Sequence, residues 1–197
     1  MYMSAIDRNS PGGEEITVKW LKKNYGSKRG FVAAHWHRLK YYLGLYKRFK
    51  VDWSRVDRVI FVCTGNICRS AYAEVVARSH QLNTASSGIC ARVGASANQS
   101  AIAMAEKRGF DLTQHSTTPA MYDTYGSRDL LVAMEPWQAE LLLKHMSAQT
   151  QVTLLGMHGF PRMPYLPDPY GQSDDYFNHC FQLIENFVNE IETKFNK

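Results

Sequence analysis

A cysteine and an arginine stand six positions apart in a stretch that reads Val62-Cys63-Thr64-Gly65-Asn66-Ile67-Cys68-Arg69-Ser70. The stretch lies where an apolar, β-branched run ends and a helical pattern begins. In such a loop, successive backbone N–H groups converge near the positive end of the helix dipole and cradle a tetrahedral oxyanion. These groups and Arg69 stabilise a thiolate, so we expect Cys63 to be a nucleophile at neutral pH. The planar fork of Arg69 can hold two equatorial oxygens of a phosphoryl group.

The other residues of this phosphate-binding loop suit the same role. Gly65 is expected to permit the backbone angles of the turn, and Asn66 tolerates a left-handed conformation. The Ser70 hydroxyl can donate a hydrogen bond to the thiolate and later to the departing sulfur. The loop is completed by Thr64, Ile67 and Cys68.

A structural interpretation of these residues stays open at this point. A cysteine followed six residues later by an arginine often occurs by chance, with the cysteine buried in a core and the arginine on a helix surface. The strand before the loop, the Gly-Asn pair and the helix after it favour the chemical interpretation. The motif alone does not identify the reaction.

Alternating strands and helices surround this loop. Short apolar runs predict strands over residues 59–62, 84–87, 130–134 and 152–155. Helical patterns follow over 72–79, 96–108, 137–145 and 173–195. This alternation predicts an α/β fold with a four-stranded parallel sheet, helices on both faces, and a ligand site at the carboxyl ends of the strands.

The first 57 residues differ from the rest in composition. They carry 12 Lys and Arg against 5 Asp and Glu, whereas residues 58–197 carry 11 against 13. Residues 1–15 are expected to be a flexible lead-in. Helical patterns over 16–23 and 31–49, the second weakly interrupted at Gly44, predict a helical hairpin. We therefore predict a basic helical N-terminal extension over residues 1–57.

Composition also excludes several classes of protein. Four cysteines without a CxxC pair or a Cys/His cluster indicate neither a disulfide scaffold nor a structural metal, and no cofactor is expected. The apolar runs are far shorter than the ~20 residues that cross a bilayer. The polar start is unlike a secretory signal, so we expect a reducing, cytoplasmic compartment. No nucleic-acid recognition motif is present, and no nucleic-acid partner is expected.

The residues around the loop resemble a known family. The run Val59-Ile-Phe-Val-Cys-Thr-Gly-Asn-Ile-Cys-Arg-Ser-Ala-Tyr-Ala-Glu74 is similar to the signature of the low-molecular-weight protein tyrosine phosphatases. The likeness continues, in family order and spacing, through residues 86–88, 109–115, 129–135 and 167–171. It covers the chain from Arg58 onward, which predicts a phosphatase domain over residues 58–197.

The resemblance implies metal-free hydrolysis of phosphotyrosine in two steps. Cys63 would attack phosphorus and form a cysteinyl phosphate, while Arg69 binds the phosphoryl oxygens. Asp168 would protonate the leaving phenolate and then activate water. From the residues alone, an aspartate before a proline is more often a turn residue.

The resemblance also implies supporting roles. Asn66, Ser70, Ser86 and His115 match a hydrogen-bond network that holds the loop in the family. Two alternatives stay open: Ser87 could take the place of Ser86, and His115 could be a surface residue. Tyr170 matches an aromatic wall for the substrate ring, although a tyrosine in such a loop can also be merely packed or exposed.

Some positions depart from the family pattern and suggest a branch. Ala71 replaces a common proline, and residues 116–119 lack an arginine often found after the histidine. Gly171 replaces the second aromatic residue of animal members. The surrounding Pro-Asp-Pro-Tyr run is similar to the bacterial branch associated with exopolysaccharide export. The partner implied there is a tyrosine-phosphorylated protein, in particular a bacterial tyrosine autokinase.

Three further pairs of alternatives concern Cys68, the reaction and the basic helix. Cys68, five residues after Cys63, either forms a reversible disulfide with it, which would make the enzyme redox-sensitive, or is a packed thiol. Arsenate reductases share the fold, but they need a further cysteine pair, and no cysteine lies between Cys90 and Cys180. The basic helix either contacts an anionic membrane surface or a partner, or packs an apolar face on the phosphatase body or on a second copy; that face is formed by Val32, Trp36, Leu39, Leu43 and Tyr46.

Overall fold

Four parallel strands form one sheet in this computed structural model, which describes residues 17–196. The predicted lead-in over residues 1–15 lies outside the described residues. The strands are β1 (Arg58–Cys63), β2 (Thr84–Gly88), β3 (Asp129–Ala133) and β4 (Gln151–Leu154). They are ordered β2-β1-β3-β4, with all neighbouring pairs parallel. The predicted four-stranded parallel sheet is therefore confirmed.

Helices cover both faces of the sheet, again as predicted. Side chains alternate along a strand, so Val59 and Phe61 pack into one core while Ile60 and Val62 pack into the other. The first core lies under α3 (Arg69–Ser79), α4 (Gln99–Lys107) and α6 (Asp174–Phe195); the second lies under α5 (Pro136–His145). Burial on both faces explains the continuous apolar runs.

Capping residues set two helix starts. The side chain of Asn98 accepts hydrogen bonds from Ser100 N and Ala101 N, so α4 begins at Gln99 and not at the predicted residue 96. The Ser173 hydroxyl accepts a bond from Tyr176 N and caps α6 in the same way. An N-cap side chain satisfies backbone N–H groups that have no partner inside the helix.

The N-terminal segment folds as a helical hairpin of α1 (Val18–Tyr25) and α2 (Lys28–Tyr42). The prediction of one helix over residues 31–49 is wrong beyond Tyr42. Gly44 is in the left-handed conformation, with φ of 75°, and Leu45 N donates a hydrogen bond back to Lys40 O at 3.1 Å. These two features end the helix. Only a short 3-10 turn, Lys47–Phe49, follows.

The hairpin packs on the body through a different face of α2 than expected. Gly30 and Ala34 are buried, and their small size lets the helix backbone approach the body closely. The opposite face carries large apolar side chains that are 49–66% exposed, so the prediction that these pack on the body is wrong; they are Val32, Trp36, Leu39 and Leu43. Of the predicted apolar face, Tyr46 is buried.

Two features are absent from the described part of the chain. No helix within residues 17–196 is long and apolar enough to span a membrane. In the same range, no three His, Cys, Asp or Glu side chains come together as they would around a metal ion.

Candidate active site

The loop of residues 63–70 joins the end of β1 to the first turn of α3, at the carboxyl edge of the sheet. Asn66 takes the left-handed conformation, with φ of 55°. Gly65 does not have a positive φ, so the expectation that its conformational freedom makes the turn is wrong. The left-handed residue of the loop is Asn66, one position further on. Asparagine tolerates this conformation better than other residues with a side chain.

The Cys63 sulfur is the centre of this loop. It is buried, accepts a hydrogen bond from Asn66 N at 3.2 Å, and shares one with Ser70 Oγ at 3.0 Å. Donors aimed at the sulfur stabilise a thiolate relative to a thiol. The contacts thus match those expected for a nucleophilic cysteine.

Asn66 lies at the middle of a hydrogen-bond network. Its Nδ2 donates to Ser70 Oγ at 2.9 Å and to Ser86 Oγ at 2.8 Å. Its Oδ1 accepts from Thr118 N at 2.8 Å, and its carbonyl oxygen lies 2.7 Å from His115 Nε2. The structure therefore brings together all four residues that the resemblance placed in this network.

The neighbouring strand fits closely against the loop. Ser86, and not Ser87, faces Asn66; the Ser87 hydroxyl instead lies 2.8 Å from Tyr125 Oη. A Cβ added at Gly88 would lie 2.7 Å from Asn66 N, closer than side chains are found. A glycine at the end of β2 is thus needed for the loop to reach this position.

Arg69 is fully buried between two carboxylates. Its Nη1 donates to Glu135 Oε1 at 2.6 Å and to Leu166 O at 2.8 Å, and its Nη2 donates to Asp168 Oδ2 at 2.6 Å. Burial alone would lower the pKa of Arg69, but the charges of Asp168 and Glu135 outweigh it and raise the pKa. The guanidinium therefore stays charged.

One nitrogen of this guanidinium has no protein partner. Arg69 Nε is buried and makes no hydrogen bond among the described residues. A buried, unpaired N–H on a cation is costly unless a ligand supplies the acceptor. An oxyanion oxygen is the ligand that fits this requirement.

Asp168 and Tyr170 lie at the rim of the site. The Asp168 side chain is 44% exposed, and its Oδ1 accepts a bond from Tyr170 N at 3.1 Å. Tyr170 is exposed. The Asp168 carboxyl group is therefore accessible from solvent while it is paired with Arg69.

Sequence reasoning missed two residues at the start of α5, its N-cap Glu135 and Gln138 of its first turn. Glu135 pairs with Arg69, and Gln138 Nε2 donates to Thr64 Oγ1 at 3.2 Å. Gln138 Oε1 also accepts from Glu135 N at 3.0 Å, as in a helix capping box. The Glu-Pro-Trp-Gln run that starts α5 was the available signal.

The remaining cysteines differ in exposure. None of the four forms a disulfide. Cys68 is buried, and burial, followed by the charges of Asp168 and Cys63, raises its pKa, so it stays a thiol. Cys180 is buried and Cys90 is exposed.

Comparisons with known proteins agree with this geometry. Residues 58–197 match the family described as low molecular weight phosphotyrosine protein phosphatase. The probable low molecular weight protein-tyrosine-phosphatase AmsI of Erwinia amylovora is 29% identical over 133 residues, covering 66% of this chain and 92% of AmsI. The low molecular weight protein-tyrosine-phosphatase Wzb of Escherichia coli K12 is 30% identical over 131 residues, covering 66% and 88%.

Solved structures show the same fold. Wzb from Escherichia coli K30, crystallised with sulphate, is 33% identical with a TM-score of 0.64, over 71% of this chain and 98% of that one. The YwlE arginine phosphatase is 24% identical with a TM-score of 0.65, over 71% and 96%, and this similarity supports the fold alone. With a family match over residues 58–197, the chain belongs to the low molecular weight phosphotyrosine protein phosphatases, metal-independent enzymes that hydrolyse phosphotyrosine.

Proposed function

We propose that Cys63 carries out this hydrolysis in two steps with Asp168 as the proton carrier. The Cys63 thiolate attacks phosphorus, the bond to the phenolic oxygen breaks, and the Asp168 carboxylic acid protonates that oxygen. Water then attacks the cysteinyl phosphate and gives its proton to the Asp168 carboxylate. Inorganic phosphate leaves, and the thiolate and the protonated acid are restored.

The observation that carries this proposal is the buried Arg69 with its unpaired Nε beside the Cys63 loop. A phosphoryl group brings the negative oxygens that such a guanidinium binds, and the charge on those oxygens is greatest when the phosphoryl group is being transferred. The Ser70 hydroxyl, 3.0 Å from Cys63 Sγ, stabilises the sulfur when it departs in the second step. Tyr170, at the rim, is the wall for the substrate ring.

The first experiment is hydrolysis of a phosphotyrosine peptide with a chelator and a thiol present. Wild type should be active, Cys63→Ser inactive, and the exposed control Cys90→Ser fully active. In Asp168→Asn the second step lacks its base and should be slow. Rapid quenching of this variant should therefore trap phosphate on Cys63. Activity in Cys63→Ser would contradict the mechanism.

Two related reactions are the comparison arms. Phosphoarginine tests the activity named for the YwlE neighbour, and thiol-coupled arsenate reduction tests the rival drawn from the fold. We expect neither to approach the phosphotyrosine rate. The absence of any cysteine between Cys90 and Cys180 removes the relay that reduction needs.

We also propose that Cys63 and Cys68 form a reversible protective disulfide and that the enzyme works in a reducing, cytoplasmic compartment. Both side chains are buried and belong to one loop, and the charge of Cys63 is among the causes that raise the pKa of the Cys68 thiol. Peroxide should inactivate wild type, and a thiol should restore it. In Cys68→Ser, inactivation should become irreversible, while Cys90→Ser should behave as wild type.

The substrate we propose is a tyrosine-phosphorylated protein, as the similarity to the protein-tyrosine-phosphatases AmsI and Wzb supports. Within that class we propose a tyrosine autokinase, which the resemblance of the Pro-Asp-Pro-Tyr run to the exopolysaccharide branch implies. A phosphorylated, tyrosine-rich kinase tail should be dephosphorylated faster than an unrelated phosphotyrosine peptide of equal charge. Equal rates would contradict this preference.

The exposed face of α2 supports a second proposed role, contact with an anionic lipid surface. Lys and Arg occur ten times between residues 18 and 51, and Asp and Glu are absent there. Lys40 lies over the Trp36 ring at 5.2 Å, so cations border the exposed apolar side chains. Each cation near an anionic bilayer contributes about 1 kcal/mol.

Vesicle flotation tests this role. Vesicles containing phosphatidylglycerol should bind the protein at low salt, and pure phosphatidylcholine vesicles should not. Trp36→Ser combined with Leu39→Ser should abolish binding, whereas Val93→Ser, on an exposed residue elsewhere, should leave it intact. The lipid assignment would be overturned if the protein did not bind phosphatidylglycerol vesicles. It would also be overturned if the protein were a dimer that the same double variant converts to a monomer.

A further inference from the structure

The loop that carries Asp168 rests against the N-terminal hairpin, which lies outside the family match. We call residues 161–172 the acid loop. In the first turn of α2, a Cβ added to Gly30 would lie 3.5 Å from Pro167 Cβ. Pro167 immediately precedes Asp168, so the start of α2 lies close to the chain next to the proposed acid.

A second contact runs through Tyr176 in the first turn of α6. A Cβ added to Gly26 would lie 3.1 Å from the Tyr176 ring and 3.3 Å from Gln172 Cδ. Tyr176 is buried and its hydroxyl donates to Pro167 O at 2.9 Å. The hairpin turn thus lies close to Tyr176, which holds the acid loop by a hydrogen bond.

The third contact is a ring stack between His37 of α2 and Tyr165 of the acid loop. The ring centroids are 5.4 Å apart, and the planes differ by 13°. His37 Nδ1 is hydrogen-bonded to the hydroxyl of Tyr46, which is buried in the body. The hydrogen bond to Tyr46 therefore fixes the His37 ring, which stacks on Tyr165.

Asp168 has few restraints of its own. Its side chain contacts Arg69 and the backbone of Tyr170, and it is half exposed. A general acid must lie within hydrogen-bond reach of the leaving oxygen, and a displacement of about 1 Å can cost about 10²-fold in rate. Support from outside the loop therefore bears directly on proton transfer.

We propose that the α1–α2 hairpin is a positioning element for Asp168 and that His37, through Tyr165, is a positioning residue for proton transfer to the leaving group. This inference rests on the proposed role of Asp168 as the general acid. It assigns the N-terminal extension a part in catalysis that is separate from its exposed face, because the supporting residues lie on the opposite side of α2.

Leaving-group dependence tests the proposal. Phenyl phosphate needs a proton on its leaving oxygen, whereas dinitrophenyl phosphate leaves readily without one. His37→Ala should lower kcat about tenfold with phenyl phosphate and less than about twofold with dinitrophenyl phosphate. The Ki of inorganic phosphate should not rise, because the loop of residues 63–70 is unchanged. His37→Phe, which keeps a stacking ring, should restore most of the rate. His35→Ala, which removes an exposed histidine from the same helix, is the matched control.

A double variant separates this proposal from the one on which it rests. In Asp168→Asn, adding His37→Ala should have no further effect on the phenyl phosphate rate. An equal loss with both substrates, or no loss with either, would overturn the positioning role. If Asp168→Asn itself showed no leaving-group dependence, the failure would lie with Asp168 as the acid.

Discussion

Arg69 Nη2 and Asp168 Oδ2 are 2.6 Å apart, although the two residues are 99 positions apart in the chain. This ion pair joins the proposed phosphate-binding cation to the proposed general acid. A phosphoryl group that binds two nitrogens of Arg69 would accept hydrogen bonds from Nη2 as well as from the unpaired Nε. Substrate and Asp168 therefore compete for one nitrogen, and phosphate binding should release the carboxyl group toward the leaving oxygen.

Asp168→Asn should separate catalysis from binding. We expect kcat for a phosphotyrosine peptide to fall about 10²- to 10⁴-fold, the usual contribution of a general acid. Inorganic phosphate should bind several-fold more tightly, because the amide removes a negative charge beside the anion. The Ki of phosphate measures this, and a Ki above the wild-type value would contradict the competition.

Glu135→Gln should destabilise the fold and make it depend on phosphate. The variant leaves the buried Arg69 with one carboxylate, and breaking a buried pair costs about 3 kcal/mol. Added phosphate supplies a replacement charge, so it should raise the free energy of unfolding more in the variant than in wild type. Urea unfolding with and without phosphate measures both effects.

Glu140→Gln is the control for this change, because Glu140 pairs with Arg48 on the surface. It should shift the free energy of unfolding by less than about 1 kcal/mol. Equal phosphate responses in the two variants would show that Glu135 is not the counter-ion of the site.

Substitutions at Asn66 should separate its backbone role from its side-chain role. Asn66→Ala and Asn66→Gly both remove the bonds to Ser70 and Ser86, and both should lower kcat/KM. Alanine also bears the cost of the left-handed conformation, about 1 kcal/mol, which glycine avoids. Thermal or urea unfolding should therefore rank the glycine variant as the more stable, and the reverse order would refute this explanation.

Stability should fall in mild acid because His158 is buried in its neutral form. Burial, and then the charges of Lys194 and Arg162, lower its pKa from 6.5 to about 3. Between these values the unfolded chain binds the proton and the folded chain does not, so the free energy of unfolding decreases as pH falls below 6.5. The slope from this group is about 1.4 kcal/mol per pH unit.

Urea unfolding at pH 7.5 and 5.5 measures the effect, and His158→Gln should have the smaller pH dependence. His37 and His179, whose pKa values burial also lowers, remain in both proteins, so the difference isolates His158. An unchanged slope in the variant would mean that His158 does not contribute.

The chemistry of the site could be predicted from the chain because its main parts are contiguous. One strand, one loop and one helix place Cys63 and Arg69 on a shared anion cradle, and local rules govern all three elements. The four strands followed from short apolar runs for the same reason. Asp168 needed the family resemblance, since an aspartate before a proline has no local feature that marks an acid.

The tertiary structure decided which side chains meet. Strand register, with Phe61 beside Ser86, brings Ser86 rather than Ser87 to the loop, because neighbouring residues of a strand point to opposite faces. Glu135 reaches Arg69 only because β3 lies next to β1.

Which side of α2 packs on the body could likewise not be predicted from the sequence. Both sides carry apolar residues, so periodicity could not tell which would be buried. Close packing at Gly30 and Ala34 selected the side that contacts the acid loop and left Trp36 and Leu39 exposed. Local sequence thus determined the elements and the reactive groups, whereas packing between distant segments determined their partners, because such packing depends on shape across the whole fold.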